Sequence, residues 1–504
     1  HPREPSESCS ACSRVHWQSV VLTMRTCLLL QLLLVSLLSM RSFNALRVGR
    51  AIHSHSRALR HTSSAFRLFS DSAGSGSGGR ASAAVVQDAA AGGKKASPKK
   101  LDLNPPKGTR DFYPEEHRLK SWLFGKWRAV GELYGFEEYD APVLENEDLY
   151  IRKAGEEITG QLYNFEDKGG RRLALRPEMT PSLARMVLAK GKALAMPLKW
   201  MAIPQCWRYE RMTKGRRREH YQWNMDIWGV SGVEAEAELI SAIVASFQAM
   251  GVTEQDVGIK INSRKILNAL MASFSIPEDK WVAACVLVDK LDKVPLSALS
   301  DDLSALGITE AVAQQLVDAL QIKTIDEFAL RLGADSPGVA DILRLQELLE
   351  GYGVGQWVQF DASVVRGLAY YTGVVFEGFD RQGELRAICG GGRYDSLLQS
   401  LGGEVTPAVG FGFGDAVIYE LLKAKGLLPQ LEGGSVDVLV YPMEESLRPQ
   451  AIKTATTLRK AGHRVDIVLD SRKPKWVFNR ADKIHCRVVV MLAGDEHERG
   501  EALV

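Results

Sequence analysis

The sequence predicts an α+β protein with at least two domains. Two strand-like runs, 198–210 and 220–228, flank a polar loop and predict a long antiparallel hairpin. Leucine and alanine recur at helical spacing through 264–352, which predicts a helical segment inserted into the sheet domain. In the tail, 436–504, short strand-like runs alternate with helical patterns and predict a small α/β domain. A chain of 504 residues leaves room for about two to four domains.

The large domain opens with a helix predicted over about 115–134, because apolar residues recur there at helical spacing. Those residues are Leu119, Trp122, Leu123, Trp127, Val130 and Leu133. Gly135 predicts the end of this helix, and the run 139–143 predicts a strand. After the hairpin, a second helix is predicted near 234–250, and strand-like runs resume over 356–380.

Proline and glycine divide the rest of the chain. Breaks within the helical segment are predicted at Pro277, Pro295, Gly307 and Pro337. The Glu-Gly-Gly run at 432–434 predicts the boundary between the two domains. Beyond it, the predicted strands are 436–440, 463–469 and 487–492.

Residues 1–70 have the composition of a leader rather than of a folded domain. The apolar run Cys27–Leu38 is too short to span a bilayer and fits the core of a signal peptide. Residues 41–70 carry six arginines, many serines and no acidic residue, as transit peptides do. Together these segments predict import into a plastid, whereas Arg67–Ser70 resembles a mitochondrial processing site; a disordered basic tail would explain only the arginines. Residues 71–103, rich in Gly, Ser and Ala, predict a flexible linker.

The charge of the chain argues against a protein that coats nucleic acid through bulk charge, since 63 Lys and Arg face 61 Asp and Glu. Residues 1–70 contribute nine Arg and two Glu, so the remainder holds 54 basic and 59 acidic residues and is mildly acidic. Any binding of nucleic acid by this remainder rests on local basic patches. Seven scattered cysteines exclude a disulfide scaffold, and the lone pair Cys9 and Cys12 is a weak signal for zinc.

The predicted hairpin carries a dense set of polar side chains. Alternate residues of a strand share a face, which groups Arg208 with Glu210 and groups His220, Gln222, Asn224 and Asp226. Charged groups are rarely buried without partners, so this face is predicted to bind a ligand; a solvated hairpin is the alternative. The loop 211–218 holds five basic residues, which suit phosphate because an arginine fork can bind two oxygens.

Three further segments combine polar side chains with rigid or open backbone. Arg176–Pro181 holds a Glu and a Thr between two prolines, which predicts a rigid turn aimed at a ligand or an ordinary helix start. Arg366–Gly373 contains an Arg and two Tyr, which suit a planar polar ligand or a packed turn. Gly390–Asp395 begins with three glycines, which permit close approach of the backbone to a ligand but lack the lysine of a phosphate loop.

Together and in this order, these segments resemble histidyl-tRNA synthetase, a class II aminoacyl-tRNA synthetase, over roughly 104–504. Lys107 through Pro142 is similar to class II motif 1, whose helix and strand form a homodimer interface in that family, and Trp207–Asp226 is similar to motif 2. The resemblance implies an antiparallel-sheet catalytic domain at 104–430, with the helical insertion at 264–352. It also implies an anticodon-binding domain at 436–504, whose last strand would begin about where the sequence ends.

The resemblance further implies which side chains bind L-histidine. It assigns the α-ammonium group to Glu178, Thr180 and Gln222, and the imidazole ring to Asp226, Tyr371 and the adjacent Tyr370. A site that pairs both ring nitrogens rejects analogues that lack them, because its own polar groups would be left unpaired.

For ATP, the resemblance assigns Arg208 to the histidine carboxylate and the α-phosphate, and Glu210 to the adenine end. Arg216 and Arg218 would bind the outer phosphates, and His220 occupies the position of an adenine-stacking Phe.

The same resemblance makes Arg366 and Arg208 the catalytic residues, with Arg366 stabilising charge on the α-phosphate during attack by the histidine carboxylate. Mg²⁺ would enter with ATP, and the resemblance implies no further metal site and no prosthetic group. The activated histidine would pass to the 3′ end of histidine tRNA, in organellar translation. Local basic patches for the tRNA are predicted in the loop 214–218, in the helical insertion, and at Arg472, Lys473, Lys475 and Lys483; no membrane contact is expected of the mature protein.

One departure from the family pattern keeps a rival open. Val417 stands where motif 3 would place an arginine that contacts ATP. A regulatory subunit of histidine biosynthesis resembles the synthetase and binds histidine without charging tRNA, but it typically lacks the tail domain and the helical insertion. The presence of both modules favours the enzyme, and a general nucleotide-binding scaffold would require four coincident motifs.

Overall fold

The computed structural model describes residues 14–16, 101–151, 160–288, 296–366, 370–431, 436–499 and 501–504. These residues form two compact units, one covering Leu103–Leu431 and one containing the tail together with strand β1 (Arg14–His16). The predictions for Cys9 and Cys12, for the runs 27–38, 41–70 and 71–100, for Pro295 and for the boundary 432–434 lie outside the described residues. Within the described residues, no helix is long and apolar enough to cross a bilayer.

The large unit is a sheet protein with helices on its flanks. Its helices are α1 (Pro114–Leu133), α2 (Asp148–Ile151), α3 (Thr180–Lys190), α4 (Glu234–Ala249), α5 (Arg264–Ser273), α6 (Glu278–Val288), α7 (Leu296–Ala305), α8 (Glu310–Leu320), α9 (Ile325–Leu332), α10 (Pro337–Gly351), α11 (Leu397–Ser400) and α12 (Asp415–Ala424). Its strands are β2 (Glu137–Glu138), β3 (Leu144–Asn146), β4 (Tyr163–Glu166), β5 (Arg172–Leu175), β6 (Leu198–Ala202), β7 (Gln205–Trp207), β8 (Glu219–Trp228), β9 (Val257–Ser263), β10 (Val358–Phe360), β11 (Val374–Asp380), β12 (Cys389–Arg393) and β13 (Ala408–Gly414). Single 3₁₀ turns lie at Gly191–Ala193 and Gly355–Trp357.

The main sheet has the strand order β10-β9-β11-β12-β13-β8-β6-β2, and β7 pairs with β8 beside this path. Its central pairs, from β9 to β6, are antiparallel, whereas β10 and β2 add at the two edges as parallel neighbours. A small separate sheet has the order β3-β5-β4. The predicted antiparallel architecture is thus confirmed.

One face of the main sheet packs on aromatic side chains from the sheet and from α1 and α4. Trp127 of α1 stacks on Trp223 of β8 at 6.0 Å between ring centroids and contacts Phe413 of β13 at 5.5 Å. Phe247 of α4 lies 5.2 Å from Phe413 and 6.1 Å from Trp357. All five rings are fully buried, so this face of the sheet is core and ligands have access only to the other face.

The described residues of the predicted helical segment form six helices, α5 to α10, that share their apolar core with the sheet. Two of the predicted breaks are explained by local geometry. Gly307 has a positive φ of 77° after α7, a conformation that favours glycine, and Pro337 occupies the first position of α10, where a missing N–H costs nothing.

Three strand predictions are wrong in their extent. Residues 139–143 are irregular between β2 and β3, because Pro142 offers no N–H for a strand ladder. The first hairpin strand ends at Trp207 rather than at 210, and Pro204 divides it into β6 and β7. Among the described residues of 356–380, the strands are β10 and β11, and residues 361–366 and 370–373 between them are not part of a strand.

The tail forms a five-stranded sheet with the order β1-β17-β16-β14-β15. Its elements are β14 (Val438–Pro442), the 3₁₀ turn Glu445–Leu447, α13 (Arg448–Lys460), β15 (Val465–Ile467), α14 (Pro474–Lys483), β16 (Val488–Leu492), α15 (Gly494–Glu498) and β17 (Glu501–Leu503). The three predicted strands are confirmed, and β14 pairs in parallel with β15 and β16. Strand β1 lies inside the predicted leader and pairs antiparallel with β17, a contact that no sequence pattern indicated.

Candidate functional site

The alternation of β8 sorts its side chains onto two faces. Trp223, Met225 and Ile227 are buried in the aromatic core. Gln222 and Asn224 point to the opposite face, where they line a cavity of about 900 Å³. The predicted polar face of the hairpin is therefore the floor of a cavity, as expected for a ligand site.

The cavity wall collects residues from segments that are far apart in the chain. Among the residues predicted to bind histidine or ATP, those that line it are Glu178, Thr180, Arg208, Glu210, Arg216, Gln222, Arg366, Tyr370 and Tyr371. Asp226 lies just beneath the wall and is fully buried. Ten of the twelve predicted site residues thus lie in or directly under one cavity.

Glycines in β12 and β13 make room for two of these charged side chains. Gly410 is the register partner of Asp226, and a Cβ on Gly410 would lie 2.0 Å from Oδ1 of Asp226. A Cβ on Gly390 would lie 2.5 Å from Cζ of Arg366. A Cβ on Gly391 or Gly392 would likewise lie within 3 Å of a neighbouring backbone oxygen, so these glycines belong to the central strand β12 and not to a phosphate loop.

The inner end of the cavity holds two carboxylates and three tyrosines. The hydroxyl of Tyr394 donates to Oδ1 of Asp226, and the hydroxyl of Tyr370 donates to Oε2 of Glu178 at 2.9 Å. Tyr370 packs between Tyr371 and Tyr394, at 5.1 and 5.9 Å between ring centroids. Among the described residues, Asp226 Oδ2 and Glu178 Oε1 are buried and have no hydrogen-bond partner. Two acceptors therefore remain open to a ligand that carries N–H groups.

Burial controls the protonation of these groups. It raises the pKa of Asp226 to about 7, although the hydrogen bond from Tyr394 opposes this shift. It also raises the pKa of Glu178, against the lowering effect of the nearby positive charge of Arg208. A cationic ligand would favour the ionised form of both carboxylates.

The outer part of the cavity is lined with guanidinium groups. Arg208 donates through Nε to the carbonyl oxygen of Pro177 at 3.0 Å, which fixes it beside the Arg176–Pro181 turn. Arg216 pairs with Glu210, Nε to Oε2, at 2.7 Å. Arg366 pairs with Glu377 and has a positive φ of 60°, a costly conformation for an arginine that persists only where the surroundings impose it. Such a cluster suits a ligand with several negative charges.

Besides the buried Asp226, two predicted site residues do not line this cavity. Arg218 stacks on Tyr209, with Cζ 3.9 Å from the ring centroid, and lines a separate cavity of about 460 Å³ with Lys107 and Glu210. His220 packs beside its strand partner Cys206, and burial lowers its pKa to about 3, so its ring is neutral at physiological pH. The alternation of a strand predicts which residues share a face, but it does not predict which of those side chains line a given cavity on that face.

Sequence reasoning missed three residues of the site. Tyr394 belongs to the Gly390–Asp395 segment but was given no role, Glu377 is an acid between apolar residues and a glycine in strand β11, and Arg386 lies in the segment between β11 and β12. The isolated charge in β11 was a usable signal for Glu377, because a central strand seldom carries an acid without a partner. Nothing in the local sequence pointed to Arg386.

Comparison with known proteins shows the family to which the chain belongs. A sequence model of the histidyl-tRNA synthetase family matches residues 108–414, and a model of the anticodon-binding domain matches residues 437–504. The chain belongs to the histidyl-tRNA synthetase family. The predicted family, enzyme class and fold are thereby confirmed.

Individual members of the family are similar over most of their length. The chloroplastic/mitochondrial histidine–tRNA ligase of Arabidopsis thaliana is 56% identical over 406 residues, which cover 81% of this chain and 83% of that protein. The histidine–tRNA ligase of Opitutus terrae is 42% identical, over 72% of this chain and 84% of that protein.

Solved structures of family members have the same fold. The histidyl-tRNA synthetase of Nostoc sp. PCC 7120 aligns with a TM-score of 0.65 and 26% identity, over 80% of this chain and 94% of that one. A Bacillus halodurans protein described as an ATP phosphoribosyltransferase regulatory subunit/histidyl-tRNA synthetase aligns with a TM-score of 0.64, over 79% of this chain and 100% of that one. At 24% identity the second match supports the fold alone.

The contact between Gly410 and Asp226 predicts a steep difference between two similar substitutions. Gly410→Ala would push the new methyl group into Asp226 Oδ1 and displace the carboxylate, so the KM for histidine should rise about tenfold or more. Gly412→Ala is the matched control, because its nearest neighbours, Gln222 Oε1 and Asn224 Nδ2, lie at ordinary distances of 3.5 and 3.6 Å. Steady-state ATP–pyrophosphate exchange measures both, and equal effects of the two substitutions would refute the steric argument.

The raised pKa of Asp226 predicts a pH dependence of stability. Between the ordinary value of 3.8 and about 7, the folded state holds a proton that the unfolded chain has released. Relative to Asp226→Asn, the wild-type free energy of unfolding should therefore fall as pH rises through this window, by at most about 1.4 kcal/mol per pH unit, and level off above it. Denaturant titrations of both proteins at several pH values test this, and a pH-independent difference would show that Asp226 titrates normally.

Proposed function

We propose that this chain activates L-histidine with ATP in the main cavity and transfers it to the 3′ end of histidine tRNA, in organellar translation. In this proposal, 104–430 is the catalytic domain with an insertion at 264–352, 436–504 reads the anticodon, and 1–70 is a targeting leader followed by a linker. The observation that carries it is the pair of open carboxylate oxygens next to a cluster of arginines in one cavity.

The inner end of the cavity suits histidine. The open Oε1 of Glu178 can accept from the α-ammonium group, with Thr180 and Gln222 beside it on the wall. The open Oδ2 of Asp226 can accept from an imidazole N–H, and Tyr371 lines the same cavity. A ligand without these donors would leave buried carboxylate oxygens unpaired, which supports selection of histidine over apolar amino acids.

The arginines suit the activation step. An oxygen of the histidine carboxylate attacks the α-phosphorus of ATP, a new O–P bond forms, and the bond to the β-phosphate oxygen breaks. Pyrophosphate leaves with that electron pair, and histidyl-adenylate remains. Arg208 and Arg366 would neutralise charge that develops on the α-phosphate, and Glu377 holds the Arg366 guanidinium in position. Positioning and charge neutralisation suffice, so no protein nucleophile is required.

In the transfer step, a terminal ribose hydroxyl of the tRNA attacks the carbonyl carbon of histidyl-adenylate and AMP leaves. Mg²⁺ would enter with ATP on its phosphates, as Mg²⁺ often does with few protein ligands. Glu210 and Glu377, two of the acids that line the cavity, are each paired with an arginine. Within the described residues, no group of three or more His, Cys, Asp or Glu side chains could hold a separate metal ion.

The tRNA would bind through local basic patches, because the chain without its leader is mildly acidic. In the tail, Arg472 and Arg480 flank the exposed Trp476 at 4.8 and 5.7 Å from its rings, a surface on which an unpaired base can stack. Residues 437–504 match the anticodon-binding domain family, and the regulatory subunit typically lacks this domain, so the match favours charging of tRNA over a regulatory role.

Two further parts of the proposal concern assembly and location. A homodimer through the motif 1 region is supported by the exposed side chains of Tyr113 and Leu133 there, and sedimentation of a monomer at micromolar concentration would contradict it. Plastid, mitochondrial or dual import is supported by the leader composition and by the organellar relative. A fluorescent fusion of residues 1–100 that stays in the cytosol would contradict both destinations.

The test of the activity is ATP–pyrophosphate exchange by the full chain, followed by charging of histidine tRNA. We expect exchange with histidine and with no other amino acid, and then charging. Exchange without charging would contradict the transfer step and the role proposed for the tail, whereas absence of both activities would refute the proposed function and favour the regulatory alternative.

The role of Arg366 predicts the effect of its removal. Arg366→Ala should lower kcat for exchange about 10²- to 10³-fold, because the developing charge on the α-phosphate loses a preorganised donor. Arg331→Ala, an exposed position on α9 outside the cavity, is the control and should leave kcat unchanged. A near-normal rate for Arg366→Ala in a folded protein would remove Arg366 from the mechanism.

A further inference from the structure

The inference concerns the position at which this chain departs from its family. Val417, in the place of the expected ATP-contacting arginine, is buried at 6% exposure within the main apolar core and does not line the cavity. Its Cγ2 atom lies 3.2 Å from the point that a Cβ on Gly215 would occupy. This position therefore still packs against the basic loop of the hairpin but carries no charge to it.

The side chain of Arg386 also lies beside Gly215, although Arg386 belongs to a different part of the chain. It lies in the segment between β11 and β12, and its Cδ and Cγ atoms lie 3.8 and 3.9 Å from the same point on Gly215. Unlike Val417, Arg386 lines the cavity. Arg386 and Val417 thus adjoin one glycine of the basic loop, and only Arg386 turns toward the ligand space.

The electrostatic surroundings of Arg386 suit an anionic ligand. Desolvation lowers its pKa, and the positive charges of Arg216, Arg208 and Arg366 lower it further, while Glu210 has the opposite effect. Arg216 and Arg366 each have a carboxylate partner. Within the described part of the chain, no carboxylate lies within ion-pairing distance of Arg386, so the mutual repulsion of these guanidinium groups would be relieved by a bound polyanion.

We propose that Arg386 binds the outer phosphates of ATP, in place of the arginine that Val417 replaces. The proposal rests on the function proposed above and specifies how this chain performs it. The guanidinium of Arg386 would act with Arg216 on the β- and γ-phosphates, while Arg208 and Arg366 act on the α-phosphate. Its contribution is then to the binding and orientation of the triphosphate and of the leaving pyrophosphate.

This role predicts that removal of Arg386 weakens the binding of ATP but not the binding of histidine. Arg386→Ala should raise the KM for ATP about tenfold or more in histidine-dependent exchange, since a charge-assisted hydrogen bond in a partly enclosed site is worth about that factor. The KM for histidine should stay unchanged. Calorimetric binding should show the same loss for ATP and for inorganic pyrophosphate but not for AMP, which lacks the outer phosphates.

Three further variants make the test specific. Arg386→Lys should recover part of the ATP affinity, because it keeps the charge but loses the two-pronged geometry. Arg331→Ala should behave like the wild type. Thermal unfolding of each variant verifies the fold, and Arg386→Gln replaces Arg386→Ala in every measurement if the alanine variant does not fold.

The outcomes separate this proposal from the proposed function. If the wild type exchanges with histidine and the folded Arg386 variant keeps its ATP affinity, Arg386 has no role in binding ATP. An equal loss of AMP and ATP affinity would place Arg386 on the adenosine or α-phosphate and overturn the assignment to the outer phosphates. Absence of histidine-dependent exchange in the wild type would instead refute the proposed function, with ATP and AMP binding still deciding whether Arg386 reads the outer phosphates.

Discussion

The two-faced strand β8 is the constraint on which the rest of the large unit depends. Its odd-numbered side chains Trp223, Met225 and Ile227 must be buried against α1 and α4, because their exposure would cost several kcal/mol in total. With a repeat of two, that burial forces Gln222, Asn224 and Asp226 to the other face. A slip of one residue would move the polar set into the aromatic core, so the same register secures the fold and orients the site.

The neighbouring strands complete the site by leaving space. Gly410 and Gly390 lack the side chains that would collide with Asp226 and Arg366, so charged groups can lie flat on a closely packed sheet. Buried charges persist only where partners hold them, and Tyr394, Tyr370 and Glu377 supply those partners. Within the described residues, these hydrogen bonds leave one oxygen of Asp226 and one of Glu178 without a partner, so both can accept from a ligand that carries N–H groups.

Predictions from the sequence succeeded where one local period decides the structure. The helix at Pro114–Leu133 and the hairpin around β8 carry clear repeats, and the structure has both. The strand predicted at 139–143 is absent, because Pro142 has no N–H to donate to a strand ladder. The prediction relied on the apolar residues of this run and gave the proline too little weight. Site residues were found where motifs are contiguous, as at Arg208 and Tyr371. The family resemblance assigns Arg216 and Arg218 to the same phosphates, yet the two side chains line different cavities.

The sequence by itself determined the family, the alternation that divides core from cavity, and most of the polar side chains that meet there. These properties depend on residues within one strand, one helix or one motif, where spacing translates directly into geometry. Only the tertiary structure decided that Glu377 pairs with Arg366, that Tyr394 bonds Asp226, and that Arg386 faces the loop beside Val417. These pairings join β-strands and loops from distant parts of the chain, and no local periodicity encodes which distant side chain a sheet will bring alongside.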